Sequence, residues 1–256
     1  MKHMQTHTKT IQVTGISGIP LIQKGDDIAR IICNITEVND QDIVVIATTI
    51  IGKAKGYTEN LNSIHPSDKA NQIAEKTGED PRFIQIVLDN STDILTTYPF
   101  ILSEISCGHI GVRAGVDNSN IESGMVILLP KDPMAEAAEI REKILSYTGS
   151  DCGVIITDTC GRSFRRGQTG HALGWSGIVA IRDFRGDTDL FGRTMEITEE
   201  AVVDEIAGFA NFIMGESHAG IPAVLFHGCP PWVGHNSLYF SKNEDIIRNA
   251  LKNREE

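Results

Sequence analysis

The sequence predicts an α+β (mixed α/β) protein in which mixed sheets are flanked by helices. Several apolar runs are rich in β-branched residues, which is typical of strands. Two longer segments have the apolar spacing and end signals of helices. Strands and helices do not alternate regularly along the chain, and this irregular order favours the mixed class over a plain doubly wound sheet.

The predicted strands are six short apolar runs. Most of them lack the apolar and polar alternation of a sheet with one wet face, which indicates that both faces are covered. In chain order they comprise residues 43–50, 83–88, 125–130, 153–158, 178–183 and 223–227.

The clearest predicted helix comprises residues 133–147. Asp132 is a good N-cap, Pro133 suits the first helical position, and Gly149 suits the end. A second strong helix is predicted over residues 199–214, with Thr198 as its cap and Gly215 after its end. The apolar stripe of this helix consists of Ile206, Phe209, Ala210 and Ile213. Three weaker helices are predicted at residues 26–35, 67–77 and 243–252.

Length and composition are those of a soluble globular protein. The chain has 256 residues, 41% of them apolar and 22% charged. No linker fixes a boundary between two sub-domains, so we treat residues 1–256 as a single unit. No apolar run approaches the ~20 residues that span a bilayer, and the first ten residues are too polar for a signal sequence. We therefore expect a cytoplasmic protein without membrane contact.

The net charge and the cysteines argue against two classes of function, nucleic-acid binding and a standard zinc site. A formal net charge of −11 argues against nucleic-acid binding, which requires a broad basic surface. The five cysteines form no CxxC pair, as expected of reduced thiols. A zinc site on Cys229, His227 and His235 matches no standard spacing, and packing or loop roles explain these residues better.

The segment VIITDTCGRSFRRGQTG, residues 154–170, carries the strongest chemical signal. Asp158 and Thr159 follow an apolar strand, where α/β proteins usually present ligand groups. Carboxylate and hydroxyl oxygens suit Mg²⁺ or Mn²⁺ beside phosphate. Arg162, Arg165 and Arg166 come next, and guanidinium grips phosphate or carboxylate with two parallel bonds. The alternative is a capped turn with solvated arginines.

Four other segments offer weaker signals. AGVDNSNIESG, residues 114–124, contains Asp117 and Asn120, which suit a second metal ligand and an amide contact or else an ordinary turn. TTIIGKAKG, residues 48–56, is not a Walker A loop, but Lys53 could contact phosphate or be solvated. Residues 17–28 read as a Gly-Pro turn before a helix. In residues 214–222, Glu216 is a further metal-ligand candidate in what is otherwise a surface loop.

Seven collinear segments give the chain a specific resemblance. They are GIPLIQKGDDI, TTIIGKAKG, AGVDNSN, LLPKDP, IITDTCGRSFRRGQTGHALGWSG, FRGDTDLFGR and VVDEIAGFANFIMGE, and they span nearly the whole sequence. With them the chain resembles the coenzyme F420-0:L-glutamate ligase family. That family adds glutamate to the phospholactate end of a deazaflavin coenzyme, using GTP and divalent metal, and its members are intertwined homodimers with an unusual mixed fold.

The resemblance implies a GTP-dependent ligase that acts on coenzyme F420-0 and L-glutamate, with Mg²⁺ or Mn²⁺ and with K⁺ as a further ion. It also implies a homodimer and the addition of one glutamate or a further γ-linked one. The implied metal ligands are Asp117, Asp158, Thr159 and Glu216. The implied GTP contacts are Gly18, Ile19, Pro20, Leu21, Thr48, Thr49, Lys53, Asn120, Met214, Gly215, Glu216, Ser217, His218, Ala219, Gly220 and Ile221.

No catalytic residue follows from the resemblance, and the candidates are Arg162, Arg165 and Arg166 near phosphate or the acidic substrate. The chain departs from the family pattern at Lys55, where an acid is common, and at Cys160, Ser163, Phe164 and Glu216. These departures leave two other functions open: a GTP-binding protein without ligase activity, and an amide ligase for another phosphorylated acid. The sequence has no flavin-binding segment of the kind found in bifunctional relatives, so we expect ligase activity alone.

Overall fold

The computed structural model describes residues 10–252 and has the α+β architecture that the sequence predicts. Several sheets and helices occur together, which confirms the fold class, and among the described sheets the five-stranded one contains both parallel and antiparallel pairs. The intertwined homodimer and the family-specific fold stay predictions, as does the treatment of the chain as one unit. The prediction that the amino terminus is no signal sequence concerns residues 1–10, nearly all of them outside the described residues.

Thirteen strands occur within residues 10–252. They are β1 (Gln12–Gly15), β2 (Ile43–Ala47), β3 (Thr58–Asn60), β4 (Asp93–Thr96), β5 (Leu102–Glu104), β6 (Ile110–Val112), β7 (Met125–Ile127), β8 (Gly153–Arg162), β9 (Arg165–Ser176), β10 (Ile181–Asp183), β11 (Glu199–Ala201), β12 (Ala223–His227) and β13 (Gly234–His235).

Seven α-helices occur in the same range, together with two 3₁₀ turns at Leu61–Ser63 and Arg113–Gly115. The helices are α1 (Ile28–Ile35), α2 (Thr48–Lys55), α3 (Asp68–Thr77), α4 (Pro81–Asp89), α5 (Pro133–Thr148), α6 (Val202–Met214) and α7 (Ile246–Lys252).

A five-stranded sheet in the order β1-β12-β2-β8-β9 forms the centre of the molecule. Strands β2 and β8 run parallel, and the other neighbours are antiparallel. Alternate residues face two apolar cores: Val154 packs with α1, α2 and α5, whereas Ile155 packs with α6. Both faces are therefore covered, which explains why these strands lack polar alternation.

A third apolar core lies outside the central sheet. It joins α3 and α4 to β7 and to the segment around the Arg113–Gly115 turn, through residues that include Ile84, Ala114 and Val126. Strands β4, β5 and β6 form a separate antiparallel sheet, and α7 contacts β4. The buried Arg248 of α7 donates to Glu104 of β5 at 2.6 Å and fastens the carboxy-terminal helix to this sheet.

Several predicted elements are confirmed. Strand β12 has the predicted bounds, and β8 begins as predicted but continues to Arg162 as half of a long hairpin. Helix α5 extends one residue beyond the prediction, with the Asp132 side chain accepting from the Ala135 amide. Helices α1 and α3 are also confirmed, and Ser67 caps α3.

The predicted strand at residues 83–88 is wrong, because this segment lies inside α4. Asp80 accepts a hydrogen bond from the Arg82 amide, and Pro81 occupies the first turn. A six-residue apolar run fits a buried strand and a buried helix equally well, so these helix-start signals determine that the segment is helical.

Other corrections concern element ends. The strand predicted over residues 43–50 stops at Ala47, because Thr48 begins α2. The helix predicted from residue 199 begins at Val202, since Glu199–Ala201 pairs with β10 as a strand, and Thr198 does not cap it. Within α6 the buried face is made by Val203, Ala207, Ala210 and Met214 with Val202, whereas Phe209 is half exposed. The predictions at 125–130, 178–183 and 243–252 shorten to β7, β10 and α7.

All five cysteines are free thiols, as predicted. Within residues 10–252 the longest apolar helices fall short of what crossing a bilayer requires.

Candidate active site

A cavity of about 620 Å³ opens where the parallel strands β2 and β8 end. Ala47 pairs with Thr157 in the last register position of these strands. One residue further on, Thr48 Oγ1 donates a hydrogen bond of 2.7 Å to Asp158 Oδ1. The carboxyl ends of parallel strands are the usual ligand-binding edge of such sheets, which makes this cavity the candidate active site.

Most of the site residues predicted from the sequence lie in the wall of this one cavity, although they come from distant parts of the chain. The wall includes Ile19, Pro20, Leu21, Thr49, Lys53, Asp117, Asn120, Asp158, Thr159, Met214, Gly215, Glu216, Ser217, His218, Ala219, Gly220 and Ile221. Gly18 precedes the first wall residues with a φ of 82°, a conformation that glycine adopts without strain. Thr48 contacts Asp158 behind the wall. The roles of these residues in binding stay predictions.

The charges of two carboxylates act on a third carboxylate in the cavity wall. Burial raises the pKa of Asp158 to about 6, and the charges of Asp117 and Glu216 act in the same direction. Hydrogen bonds from Thr48 and from the Thr159 backbone oppose this rise. The protein thus holds acids together at an electrostatic cost, which is common at functional sites.

Helix α6 supplies one side of the acidic group. Thr159 Oγ1 lies 3.1 Å from both Asn211 Oδ1 and Glu216 Oε1, and Asn211 Nδ2 donates to the same Glu216 oxygen at 2.8 Å. Asn211 thereby fixes the carboxylate of Glu216 beside the Thr159 hydroxyl. Asn211 was missed in the sequence, where only its polarity within an apolar helix stripe could have indicated it.

A glycine on β9 permits this close approach of α6. Gly170 pairs with Thr159 across the hairpin, and a Cβ atom at Gly170 would stand 2.4 Å from the carbonyl oxygen of Ala207. A side chain therefore cannot fit between β9 and α6 without moving one of them. The distance between Asn211 and Thr159 depends on this packing.

Asp117 belongs to a tight turn after the Arg113–Gly115 segment. Its backbone forms a bridge with Ile127, and its Oδ1 accepts from the Ser119 amide at 2.9 Å. The Ser119 hydroxyl donates to the other carboxylate oxygen. Asn120 in the same turn has a φ of 51°, a conformation that asparagine tolerates. The turn thus holds Asp117 and Asn120 at the cavity wall.

The two lysines of α2 have different environments. Lys53 lines the cavity and has no ion-pair partner in the described part of the chain. Lys55 instead points at α5, where its Nζ lies 2.9 Å from Glu136 and 2.5 Å from Glu139. These carboxylates raise the pKa of Lys55 above its usual value despite its burial. Lys55, where the chain departs from the family pattern, therefore forms ion pairs with α5 and does not line the cavity.

Arg162, Arg165 and Arg166 lie at the tip of the β8-β9 hairpin, exposed and outside the cavity wall. Arg162 Nη2 donates to the Arg166 carbonyl at 3.1 Å, and Phe164 forms the turn with a φ of 62°. Phe164 is fully solvent-exposed. In the single chain these guanidiniums do not reach the cavity, and their contact with phosphate or substrate stays a prediction.

Sequence reasoning missed part of the wall. His109, Gly111, Arg113, Cys160 and Gln168 line the cavity on the side of β6 and the hairpin. Burial lowers the pKa of His109 to about 4, and the neighbouring His171 acts in the same direction, so His109 is neutral at physiological pH. No local pattern marks these residues, because they become neighbours only when β6 packs against β8.

The chemistry of the acidic group fits a hard divalent cation. Three carboxylates and the Thr159 hydroxyl are the oxygen ligands that Mg²⁺ and Mn²⁺ prefer. Within residues 10–252, three metal-ligating atoms lie within 4.8 Å of one another at Asp183, Glu199 and His235, and not at Asp117, Asp158 and Glu216.

In the group of Asp183, Glu199 and His235, both carboxylates already form ion pairs with the side chain of Arg185. Arg185 Nη2 lies 2.6 Å from Asp183 and 3.2 Å from Glu199. The structure also gives no support to the zinc site considered on Cys229, His227 and His235. His227 pairs with the buried Asp42 at 2.5 Å and His235 pairs with Glu199, so neither groups with Cys229.

Comparison with known proteins gives a consistent result. A family model described as F420-0:Gamma-glutamyl ligase matches residues 17–228. The chain is 44% identical over 245 residues to a protein of Archaeoglobus fulgidus named coenzyme F420:L-glutamate ligase, covering 94% of this chain and 98% of that protein. A protein of the same name from Methanosarcina acetivorans is also 44% identical, with 94% and 96% covered. One from Haloarcula marismortui is 40% identical over 250 residues, with 94% and 97% covered.

Proposed function

The chain belongs to the F420-0:gamma-glutamyl ligase family, and we propose that it is a GTP-dependent amide ligase joining L-glutamate to the phospholactate carboxylate of coenzyme F420-0. A further γ-linked glutamate is a second addition of the same kind. The names of its relatives support the ligase activity and the two substrates.

The observation that carries the proposal is the single cavity at the ends of β2 and β8. Its wall combines Lys53, which has no ion-pair partner within residues 10–252, with Asp158 and the two carboxylates that act on it, and a loop with glycines at residues 215 and 220. A nucleoside triphosphate with divalent cations requires this combination of cation, hard oxygen ligands and closely approaching backbone. The volume of about 620 Å³ lies in the range of small-molecule sites.

The proposed reaction has two steps. A carboxylate oxygen of the acceptor attacks the γ-phosphorus of GTP, the bond to the β-phosphate oxygen breaks, and GDP leaves. The amine nitrogen of glutamate then attacks the acyl phosphate carbon, the amine loses a proton, and phosphate leaves with its electron pair. Lys53 would bind phosphate oxygens, and Thr48 would hold Asp158 in its cavity position.

Asp117, Asp158, Thr159 and Glu216 would hold Mg²⁺ or Mn²⁺. When bound, these ions neutralise phosphate charge and orient the groups that react. Asn211 would act as a positioning residue for Glu216. K⁺ remains a further proposed ion without an assigned ligand set.

Incubation of the purified protein with GTP, MnCl₂, L-glutamate and coenzyme F420-0 tests the proposal. We expect GDP release that depends on both other substrates and a coenzyme mass increased by one glutamyl residue, with later increments if chain extension occurs. GTP binding without product would instead identify a nucleotide-binding protein. Product with another phosphorylated acid, and none with the coenzyme, would identify a related amide ligase.

A homodimer in the cytoplasm is also part of the proposal. Phe164, Leu190 and Phe191 are large apolar side chains that are almost fully exposed in the single chain, and a partner surface would cover them. Sedimentation velocity on wild type and on Phe164→Ser with Phe191→Ser measures this, and a monomeric wild-type protein contradicts the proposed dimer.

A further inference from the structure

Part of the cavity wall consists of residues that belong to neither the predicted nucleotide set nor the predicted metal set, and we call this part the second lobe. The second lobe consists of His109, Gly111, Arg113, Cys160 and Gln168, all of which line the cavity. Cys160 Sγ lies 4.0 Å from the carbonyl oxygen of Ile110, so the lobe lies where β6 meets β8. It therefore adjoins Asp158 and Thr159 along the same strand.

The charges of the wall show what the second lobe can bind. Among the lysine and arginine residues of the described chain, the cavity wall contains Lys53 and Arg113. Lys53 lies on α2 near the predicted phosphate contacts, whereas Arg113 lies in the second lobe. The proposed reaction brings two carboxylate substrates into a cavity that already has three acids. Arg113 is the wall cation that remains for one of them.

Contacts behind Arg113 hold its side chain in place. The guanidinium forms an ion pair with Glu79 through Nη2 and lies 5.8 Å from the centre of the Phe83 ring. Guanidinium has five N–H donors, so the pair with Glu79 leaves donors for a second carboxylate. The side chain is 46% exposed, and ligand can therefore reach it.

The backbone of this segment is strained. Arg113 and Ala114 have φ values of 56° and 52°, and Gly115 continues with 66°. Two consecutive non-glycine residues in the left-handed region are energetically unfavourable and persist only where the surroundings hold them. The surroundings fix this conformation, since the Arg113 amide donates to the Ile101 carbonyl at 2.8 Å and Ala114 is buried in the third core.

The remaining groups of the lobe are neutral and polar. The His109 ring has no hydrogen-bond partner within residues 10–252, and its neighbours are the rings of His171 and Tyr239 at 6.3 and 6.5 Å. The absence of a side chain at Gly111 lets the His109 ring lie close to the backbone there, because a Cβ at that position would stand 3.2 Å from His109 Nε2. The lobe thus combines a cation that Glu79 holds in place with neutral polar groups on the same cavity wall, which suits a carboxylate.

We infer that Arg113 binds a substrate carboxylate and that the second lobe holds an anionic substrate other than the nucleotide. The inference rests on the proposed function and names a subsite within that cavity. The carboxylate belongs either to the incoming amino acid or to the acceptor, and Arg113 determines specificity for whichever one it binds. Glu79 is a positioning residue for the guanidinium.

Steady-state kinetics of Arg113→Met and Arg113→Lys test this, with Arg82→Met as the matched control. Arg82 lies next to Phe83 and pairs with Asp80, but it does not line the cavity. We expect Arg113→Met to raise the KM for L-glutamate or for the coenzyme about tenfold or more, because a charge-assisted bidentate contact is lost. Arg113→Lys keeps the charge and should raise it less, while the KM for GTP should change less than about twofold for every variant.

The substrate whose KM rises identifies the source of the carboxylate. The inference is overturned if wild type turns over and both carboxylate KM values of folded Arg113→Met stay within about twofold, or if the GTP KM rises equally. Failure of the proposed function is a separate outcome, seen as no product from wild type. In that case, titration calorimetry with L-glutamate and with the coenzyme decides: binding to wild type that Arg113→Met loses supports the subsite, and equal or absent binding overturns it.

Discussion

Replacing Gly170 by alanine should separate β9 from α6 and disturb the cavity. The added Cβ would stand 2.4 Å from the Ala207 carbonyl oxygen and 2.9 Å from its carbonyl carbon. Carbon and carbonyl oxygen normally approach to about 3.3 Å, so helix and strand must move apart by about 1 Å. Overpacking of this kind costs about 1–3 kcal/mol of the free energy of unfolding. The added atom meets backbone, which cannot rotate away.

The rate of product formation should fall together with the free energy of unfolding. Displacement of α6 carries Asn211 away from Thr159, and a misplacement of about 1 Å can reduce a rate about 100-fold. Urea unfolding and GDP release measure the two effects. Gly161→Ala on β8 is the control for unfolding alone, because a Cβ there meets no atom within 4 Å but Gly161 lines the cavity. Equal unfolding free energies for Gly170→Ala and Gly161→Ala would refute the packing argument.

Three further predictions concern single side chains. Asp158→Asn should abolish metal-dependent product formation without lowering the thermal midpoint, because it removes one of three repelling carboxylates; retained Mn²⁺-dependent ligation contradicts this. Lys55→Glu should lower the free energy of unfolding by about 1–3 kcal/mol, between the values for exposed and for buried pairs, because it leaves the buried Glu136 without its cation; Lys53→Met should change stability little and raise the KM for GTP. Since the pKa of His109 falls from 6.5 to about 4 on folding, the unfolded chain binds the extra proton between these values. His109 should then lower the free energy of unfolding by up to about 3 kcal/mol as pH drops from 6.5 to 4, whereas Asp158, whose pKa is raised to about 6, acts in the opposite direction below pH 6. The difference between the wild-type and His109→Gln stability profiles isolates the His109 contribution, and a difference that does not change with pH contradicts it.

The sequence predicted the elements whose ends carry local signals. Asp132 with Pro133 marked the start of α5 correctly, since a cap bonds within its own turn. At residues 83–88 the apolar run alone gave the wrong element, although Asp80 and Pro81 carried the same type of start signal. The end of the strand predicted over residues 43–50 was wrong, because the β-branched side chain of Thr48 favours a strand. In the structure the hydrogen bond from Thr48 to Asp158 holds this residue at the start of α2.

The candidate site was predictable where polar residues follow apolar strands. Asp158 and Thr159 stood out for that reason, and they line the cavity. Arg113 and His109 could not be found in this way, because their place in the wall arises from packing between segments about 50 residues apart. The arginines after Thr159 were conspicuous in the sequence, yet the two-strand hairpin carries them beyond the cavity in the single chain.

The order of strands in the central sheet bears on how the protein is made. Strand β12 lies between β1 and β2, although it is translated more than two hundred residues after β1. Until Ala223–His227 has left the ribosome, one edge of β2 has no partner and its backbone amides are open to other chains. We expect release of the nascent chain before that point to yield aggregates, so assembly of this sheet depends on nearly complete synthesis.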